Sequence, residues 1–135
     1  MRRRAALAGI ALLVLPGCSA ATFDVGGTLQ LDASTESVIS SERECPLSHG
    51  GYADIGTGTQ VTVYDASGKA VATGMVGMGV PVGDVGERTS RCHFAFSVTG
   101  VPEGSAIYAV EISHRGQVRF SRDDLRGVVS MHLGS

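Results

Sequence analysis

The chain lacks most of the short motifs by which a chemical activity is recognised in a sequence. It has four histidines, but no pair is spaced as HxH or HxxxH, which would place two imidazoles on one face for a metal. It has no G-x-S-x-G elbow, and Asp84 stands without the D-x-D-x-D-G series of a calcium loop. We therefore expect no metal, no cofactor and no enzymatic activity.

A hydrophobic run long enough to cross a bilayer is also lacking, since about 20 residues are needed. The uncharged run from Ala5 to Leu15 follows three arginines at positions 2–4. A basic segment before a short apolar one is typical of a secretory signal peptide. A buried amphipathic helix is the alternative, but this run is apolar on all sides. The arginines suggest twin-arginine export, yet Ala5 and Ala6 do not extend that pattern, so we expect the general route.

An excess of positive charge is missing as well. The chain has 11 basic and 13 acidic residues, and the leader holds three of the basic ones, so the remainder carries a net charge of −5. Nucleic acids and anionic headgroups both require a basic face, so we expect neither as a partner. Glycine, by contrast, reaches 19 residues, about twice its average usage, which suits tight turns between short strands.

The stretch LPGC resembles the lipobox of bacterial lipoproteins, with Leu15 and Gly17 in the expected places and Pro16 where a small residue is usual. The resemblance implies that Cys18 becomes the mature N-terminus and carries diacylglycerol on its sulfur. We expect residues 1–17 to be a lipoprotein signal peptide, residues 18–22 a short tether, and the membrane's extracytoplasmic face the location. The alternative is an ordinary signal peptide cleaved after Ala20, which would release a secreted protein.

Cys45 and Cys92 remain as a pair in an oxidising compartment. Two thiols in one small exported domain most often pair, so we expect a disulfide between them. The alternative is a catalytic cysteine with His49 or His93 as its base. Cys92 and His93 are neighbours in a strand-like run, so their side chains point to opposite faces, which disfavours a dyad between those two.

Alternating hydrophobicity predicts about seven short strands and almost no helix. We expect an all-β fold over residues 23–135, an antiparallel Ig-like or transthyretin-like β-sandwich. In the strand-like run RCHFAFSV, residues 91–98, Cys92, Phe94, Phe96 and Val98 share the inward face, and Val129, Met131 and Leu133 do so in the last strand. Ser121 is expected to cap a short helical turn before that strand.

Two hairpins have a predicted register. The DASGK turn, with Gly68 left-handed, places Val63 opposite Val71. The SHRGQ turn, with Gly116 left-handed, places Ile112 opposite Val118.

Three of these stretches together carry a family resemblance: HGGYADI, the D-x-x-G-K hairpin and YAVEISHRG, with the two cysteines at 45 and 92. Between Cys45 and Ser121 the chain resembles a recurring, poorly characterised module of exported actinobacterial, mycobacterial-type lipoproteins. The resemblance implies a lipid-anchored or secreted β-domain without known enzymatic activity. The partners that we expect are the membrane, through the lipid, and an envelope protein or small ligand bound or scaffolded by the domain.

Tyr52 and Asp54 are the candidate binding loop. The alternative is a loop anchor, in which Tyr52 fills a gap and Asp54 accepts backbone hydrogen bonds. A catalytic Ser113–His114 pair is disfavoured because the two residues are adjacent and His114 is expected in a turn.

Two rival functions have structural criteria. An envelope enzyme would bring His93, His132 and an acid into one cleft, although both histidines are expected on outer faces. A carrier of an apolar ligand would have a cavity lined by Phe94, Phe96, Val110 and Phe120.

Overall fold

The computed structural model describes Gly17, residues 19–32, Cys45, residues 51–82 and residues 91–133. Seven strands and one short helix follow in the order β1 (Thr22–Asp32), β2 (Gln60–Tyr64), β3 (Ala70–Val82), β4 (Arg91–Pro102), β5 (Ile107–Ile112), β6 (Gln117–Ser121), α1 (Arg122–Arg126) and β7 (Val128–Leu133). The predicted all-β class with seven strands is confirmed. The first strand begins at Thr22, the last residue that we had assigned to the tether.

All seven strands belong to one hydrogen-bonded sheet in the order β6-β5-β2-β3-β4-β1-β7. Five of the six pairings are antiparallel, as expected. The prediction of an entirely antiparallel sheet is wrong for β1 and β7, which run parallel. The reason is α1: it carries the chain from the edge strand β6 to the opposite edge, where Val128 enters beside Gly26 near the start of β1.

One face of the sheet encloses a single core. The predicted inward side chains of β4 are all buried, as are Val129 and Met131 of β7, and Leu133 is half-buried. Leu29 and Leu31 of β1 and Val61 and Val63 of β2 complete the same cluster. Alternation along β1 and β4 was therefore sufficient to assign the buried face of those strands.

The β2–β3 hairpin matches its prediction at the turn and departs from it one residue later. Gly68 is left-handed at φ +82°, and Asp65 pairs with Lys69 through a backbone hydrogen bond of 2.9 Å. Tyr64 lies opposite Ala70, which is the predicted register. A bulge then inserts Val71, so Val63 faces Ala72 rather than Val71.

The predicted register of the β5–β6 hairpin is wrong by two residues. Ser113 and His114 both have positive φ, 49° and 59°, and Arg115 N–H donates to the Ile112 carbonyl at 3.1 Å. This is a two-residue type I′ turn, followed by Gly116 at φ +96° as an extra residue. Val118 therefore faces Val110 instead of Ile112. A shift of two preserves the faces, so hydrophobic alternation could not reveal it.

The core is filled by phenylalanine rings that lie directly on glycine backbone. A Cβ at Gly27 would overlap the Phe96 ring, and a Cβ at Gly79 would overlap the Phe94 ring. Phe94 and Phe96 are 1% and 4% exposed. The space that an apolar ligand would need beside these two rings is thus occupied by the protein's own backbone.

The helix α1 is capped as predicted. The Ser121 hydroxyl accepts a hydrogen bond from the Asp124 N–H at 3.1 Å, and the Asp124 carboxylate accepts from the Ser121 N–H at 3.3 Å. This reciprocal capping box satisfies donors that a five-residue helix would otherwise leave free.

The predicted disulfide is confirmed. Cys45 and Cys92 are bonded at 2.06 Å, and their Cα atoms lie 6.2 Å apart. Cys92 is 1% exposed in β4, and Cys45 packs against the core from outside. The bond ties the chain between β1 and β2 to the middle of the sheet.

We expect Gly27→Ala to lower the free energy of unfolding by about 1 to 3 kcal/mol, because its methyl would displace the Phe96 ring. Gly26→Ala is the matched control, since a Cβ there meets nothing within 4 Å. Urea unfolding at neutral pH measures both. Equal stability of the two variants would contradict the close packing.

Reduction of the disulfide should lower stability by up to about 4 kcal/mol, because the bond closes a loop across 47 residues. Urea unfolding of the oxidised and reduced protein measures the difference. In the unreduced folded protein, neither Cys45 nor Cys92 should react with an alkylating agent. Labelling of both would show that the bond does not form.

Candidate functional site

Several predicted site residues lie outside the described residues. These are Cys18 with the leader before Gly17, His49 and Asp84. The remaining candidates fall into two groups, one at the turn after β5 and one on the outer face of the sheet.

The first group joins the predicted binding loop to the β5–β6 turn. Arg115 donates from Nε to Asp54 Oδ2 at 2.9 Å. Its Nη2 donates both to Asp54 Oδ1 and to the Gly51 carbonyl, the latter at 2.6 Å. Ser113 Oγ donates to Asp54 Oδ2 at 2.6 Å. The Arg115 guanidinium lies 4.8 Å from the centroid of the Tyr52 ring. We call these four residues, Tyr52, Asp54, Ser113 and Arg115, the clasp.

The electrostatics of the clasp favour the charged pair. The hydrogen bond from Arg115 holds the pKa of Asp54 well below its usual range, against a smaller opposing effect of desolvation. The same contact raises the pKa of Arg115. Both side chains remain partly exposed, at 39% for Asp54 and 28% for Arg115, so solvent screens the pair.

The clasp supports the interpretation that Asp54 anchors the loop. Its side-chain partners, however, belong to the β5–β6 turn, whereas backbone groups were expected. The carboxylate binds an arginine and a serine 61 and 59 residues away, in addition to its own backbone N–H. Tyr52 is half-buried beneath the guanidinium, as a gap-filling residue would be. An open depression of about 580 Å³ lies beside the clasp and is completed by His114 and Leu133. The two most specific stretches of the sequence, HGGYADI and YAVEISHRG, thus contact each other through Tyr52 and Asp54 on one side and Ser113 and Arg115 on the other.

The Ser113–His114 pair is not arranged as a nucleophile and base. Ser113 donates its hydroxyl hydrogen bond to Asp54, and His114 occupies the tip of the type I′ turn, exposed to solvent. His114 lies in the turn, as predicted.

The second group spans β4, β1 and β7 on the outer face. Gln30 lies opposite His93 on one side and His132 on the other, so the three side chains form one row across the sheet. His93 Nε2 lies 3.1 Å from Gln30 Oε1, and His132 Nε2 lies 2.8 Å from Asp32 Oδ2. Both histidines are on the outer face, as predicted. The acid beside them, Asp32, was not predicted as a partner.

Asp32 also accepts a hydrogen bond from Arg91 Nε at 2.8 Å. The bonds from His132 and then from Arg91 lower the pKa of Asp32. A shallow depression of about 170 Å³ lies over this row and is also lined by Thr28 and Ser130. His93 and His132 line this depression, but Asp32 is not among its lining residues, so the criterion for an envelope enzyme, two histidines and an acid in one cleft, is met only in part.

Among the described residues, no group of three or more His, Cys, Asp or Glu side chains is placed to hold a metal ion. Within the same part of the chain, α1 is a single turn and no helix has the length and apolar character of a membrane span.

This chain matches no protein-family model, no curated protein and no solved structure. The resemblance to exported actinobacterial lipoproteins therefore stays a prediction.

We expect Arg115→Ala to lower the free energy of unfolding by about 1 kcal/mol at pH 7, a value reduced for the partial exposure of the pair. Because the folded-state pKa of Asp54 is lowered, this contribution is complete above the unfolded pKa of about 4 and is lost progressively as pH falls from there through the lower folded-state pKa. Urea unfolding at pH 7 and at pH 2 measures the loss. Arg119→Ala, on the same hairpin, is the control.

A difference between Arg115→Ala and wild type that is as large at pH 2 as at pH 7 would contradict the charge pair.

Proposed function

We propose that the protein is an exported, non-catalytic envelope protein, held at the extracytoplasmic face of the membrane by lipid on Cys18, whose β-domain binds another envelope component. The observation that carries this proposal is the Cys45–Cys92 disulfide in a domain whose depression beside the clasp is built on internally paired side chains.

The disulfide supports export. Disulfides persist in oxidising compartments and are rare where thiol reductants are abundant. Together with the basic and apolar leader, the bond favours a location outside the cytoplasm.

The start of the first strand supports close anchoring. Only residues 19–21 separate Cys18 from β1, and the Ala21 carbonyl already accepts a hydrogen bond from Glu103 N–H at 2.9 Å. A linker of this length spans about 10 Å when extended. A lipid on Cys18 would therefore keep the domain next to the bilayer, and two acyl chains give stable anchoring where one does not.

The clasp supports binding rather than catalysis. Ser113, Asp54 and Arg115 bind one another, so none presents an unpaired reactive group to the depression beside them. The core supports the same conclusion against an apolar-ligand carrier, because the rings of Phe94 and Phe96 rest on glycine backbone.

An envelope enzyme is the second candidate, and the row of His93, Gln30 and His132 beside Asp32 is the observation that favours it. A histidine hydrogen-bonded to a carboxylate is the arrangement of a general base. The same contacts also suit a surface ion-pair network, since Arg91 shares the carboxylate. Assays of ester and phosphoester hydrolysis with wild type and His132→Ala separate the two: only an enzyme loses activity in the variant.

Cys18→Ser should release the protein from the membrane fraction, because the acyl chains have no other attachment site. Ser19→Ala is the matched control and should remain in that fraction. Immunoblots of membrane and soluble fractions measure both variants. Retention of Cys18→Ser in the membrane fraction contradicts the proposed anchor.

A further inference from the structure

The two edge strands of the sheet line one groove. Its walls are Gly116, Gln117 and Val118 on the β6 side and Met131, His132 and Leu133 on the β7 side, and its volume is about 230 Å³. The sheet order has β6 and β7 at opposite ends, and within the described part of the chain no strand pairs with the outer edge of either one. The sheet thus curves until its two open edges approach each other.

The β6 edge offers unused backbone groups. Arg122 N–H donates to the Ala106 carbonyl, and Ser113 N–H donates to the Gln60 carbonyl. Hydrogen-bonded pairs alternate along antiparallel strands, so Val118 and Phe120 bond to β5, while Gln117 and Arg119 direct their N–H and C=O groups away from it. An extended chain beside β6 would find a donor and an acceptor at each of these two residues.

The β7 edge has none of the usual protection against pairing. Natural edge strands carry lysines, other charges, prolines or bulges that discourage a further strand. The sequence of β7 is VVSMHL, six residues without a Lys, Arg, Asp, Glu or Pro. A charge-free edge of this length is suited to accept a strand.

The residues that line the groove, and their charges, indicate which kind of side chain an occupant would carry. Leu29, Ile112 and Met131 line it with 0%, 1% and 8% exposure, and Val118 on its wall is 45% exposed. The two basic side chains at the rim are already paired, Arg115 with Asp54 and His132 with Asp32. The groove therefore suits an uncharged segment with apolar residues at alternate positions.

A groove with an unpaired edge on each side needs a strand with two free edges. The edge strand of a second copy has only one, because the other is bonded to its own sheet. An isolated extended segment of another polypeptide has both.

We propose that an extended, uncharged peptide segment of a partner protein inserts between β6 and β7 and hydrogen-bonds to both edges. This deepens the proposed function by naming the binding surface and the class of partner. It rests on the domain being a binding module and not on the lipid anchor.

The test selects peptides from a random dodecapeptide library displayed on phage, with the oxidised protein as the target. A selected peptide is then synthesised with a fluorescent label, and its affinity is measured by fluorescence anisotropy. We expect selected peptides with apolar residues at every second position. N-methylation of alternate residues in such a peptide, which keeps the side chains but removes edge donors, should weaken binding by about tenfold or more.

The matched protein variants are Arg119→Pro and Arg119→Ala. The proline removes an outward N–H that the β5–β6 ladder does not use, and its effect should equal that of peptide methylation. The alanine keeps the N–H, and the Arg119 side chain lies outside the groove lining, so its affinity should match wild type. If Arg119→Pro does not fold, the methylated peptide decides the question.

Equal binding of methylated and unmethylated peptides overturns the proposal, as does a selection that returns no binder above background. The proposal is also overturned if sedimentation shows a concentration-dependent dimer that Arg119→Pro weakens. That result would identify a second copy of the chain as the occupant of the groove. The Cys18→Ser fractionation is independent of these outcomes, so failure of the groove and failure of the anchor are distinguishable.

Discussion

The contact of two phenylalanine rings with glycine backbone is the constraint on which the rest of the structure depends. Phe96 lies on Gly27 of β1 and Phe94 lies on Gly79 of β3, so β4 packs its largest side chains onto both of its neighbours. A bulge between Val76 and Gly79 accompanies the second contact. Glycines and bulges are the devices by which sheets curve, and this sheet curves over one core until its edges line one groove.

Two contacts between residues far apart in sequence hold segments that are not part of the sheet. The disulfide holds Cys45 against β4, and the clasp holds Tyr52 and Asp54 against the turn after β5. The polar side chains of Asp54, Ser113 and Arg115 bind one another. The specific polar stretches of the sequence therefore have a structural role, because Tyr52 and Asp54 contact Ser113 and Arg115.

The extent to which the sequence predicted the structure depended on the range of each interaction. The inward faces of β4 and β7, the left-handed Gly68 and the Ser121 cap follow from neighbours within a few residues, and all are confirmed. The predicted register of β5 and β6 was wrong because the turn lies at Ser113 and His114, two non-glycine residues with positive φ, where the sequence had indicated a turn ending at Gly116. The row of His93, Gln30 and His132 required the β4–β1–β7 order, which includes a parallel pair that alternation cannot predict.

Native-state hydrogen exchange of β6 tests the open sheet edge most directly. The account predicts fast exchange for the amide hydrogens of Gln117 and Arg119, which point away from β5, and slow exchange for Val118 and Phe120, which bond to β5. The alternation of fast and slow amides along a single strand is the expected signature. Slow exchange at all four residues would show that the edge is already covered and would contradict the account.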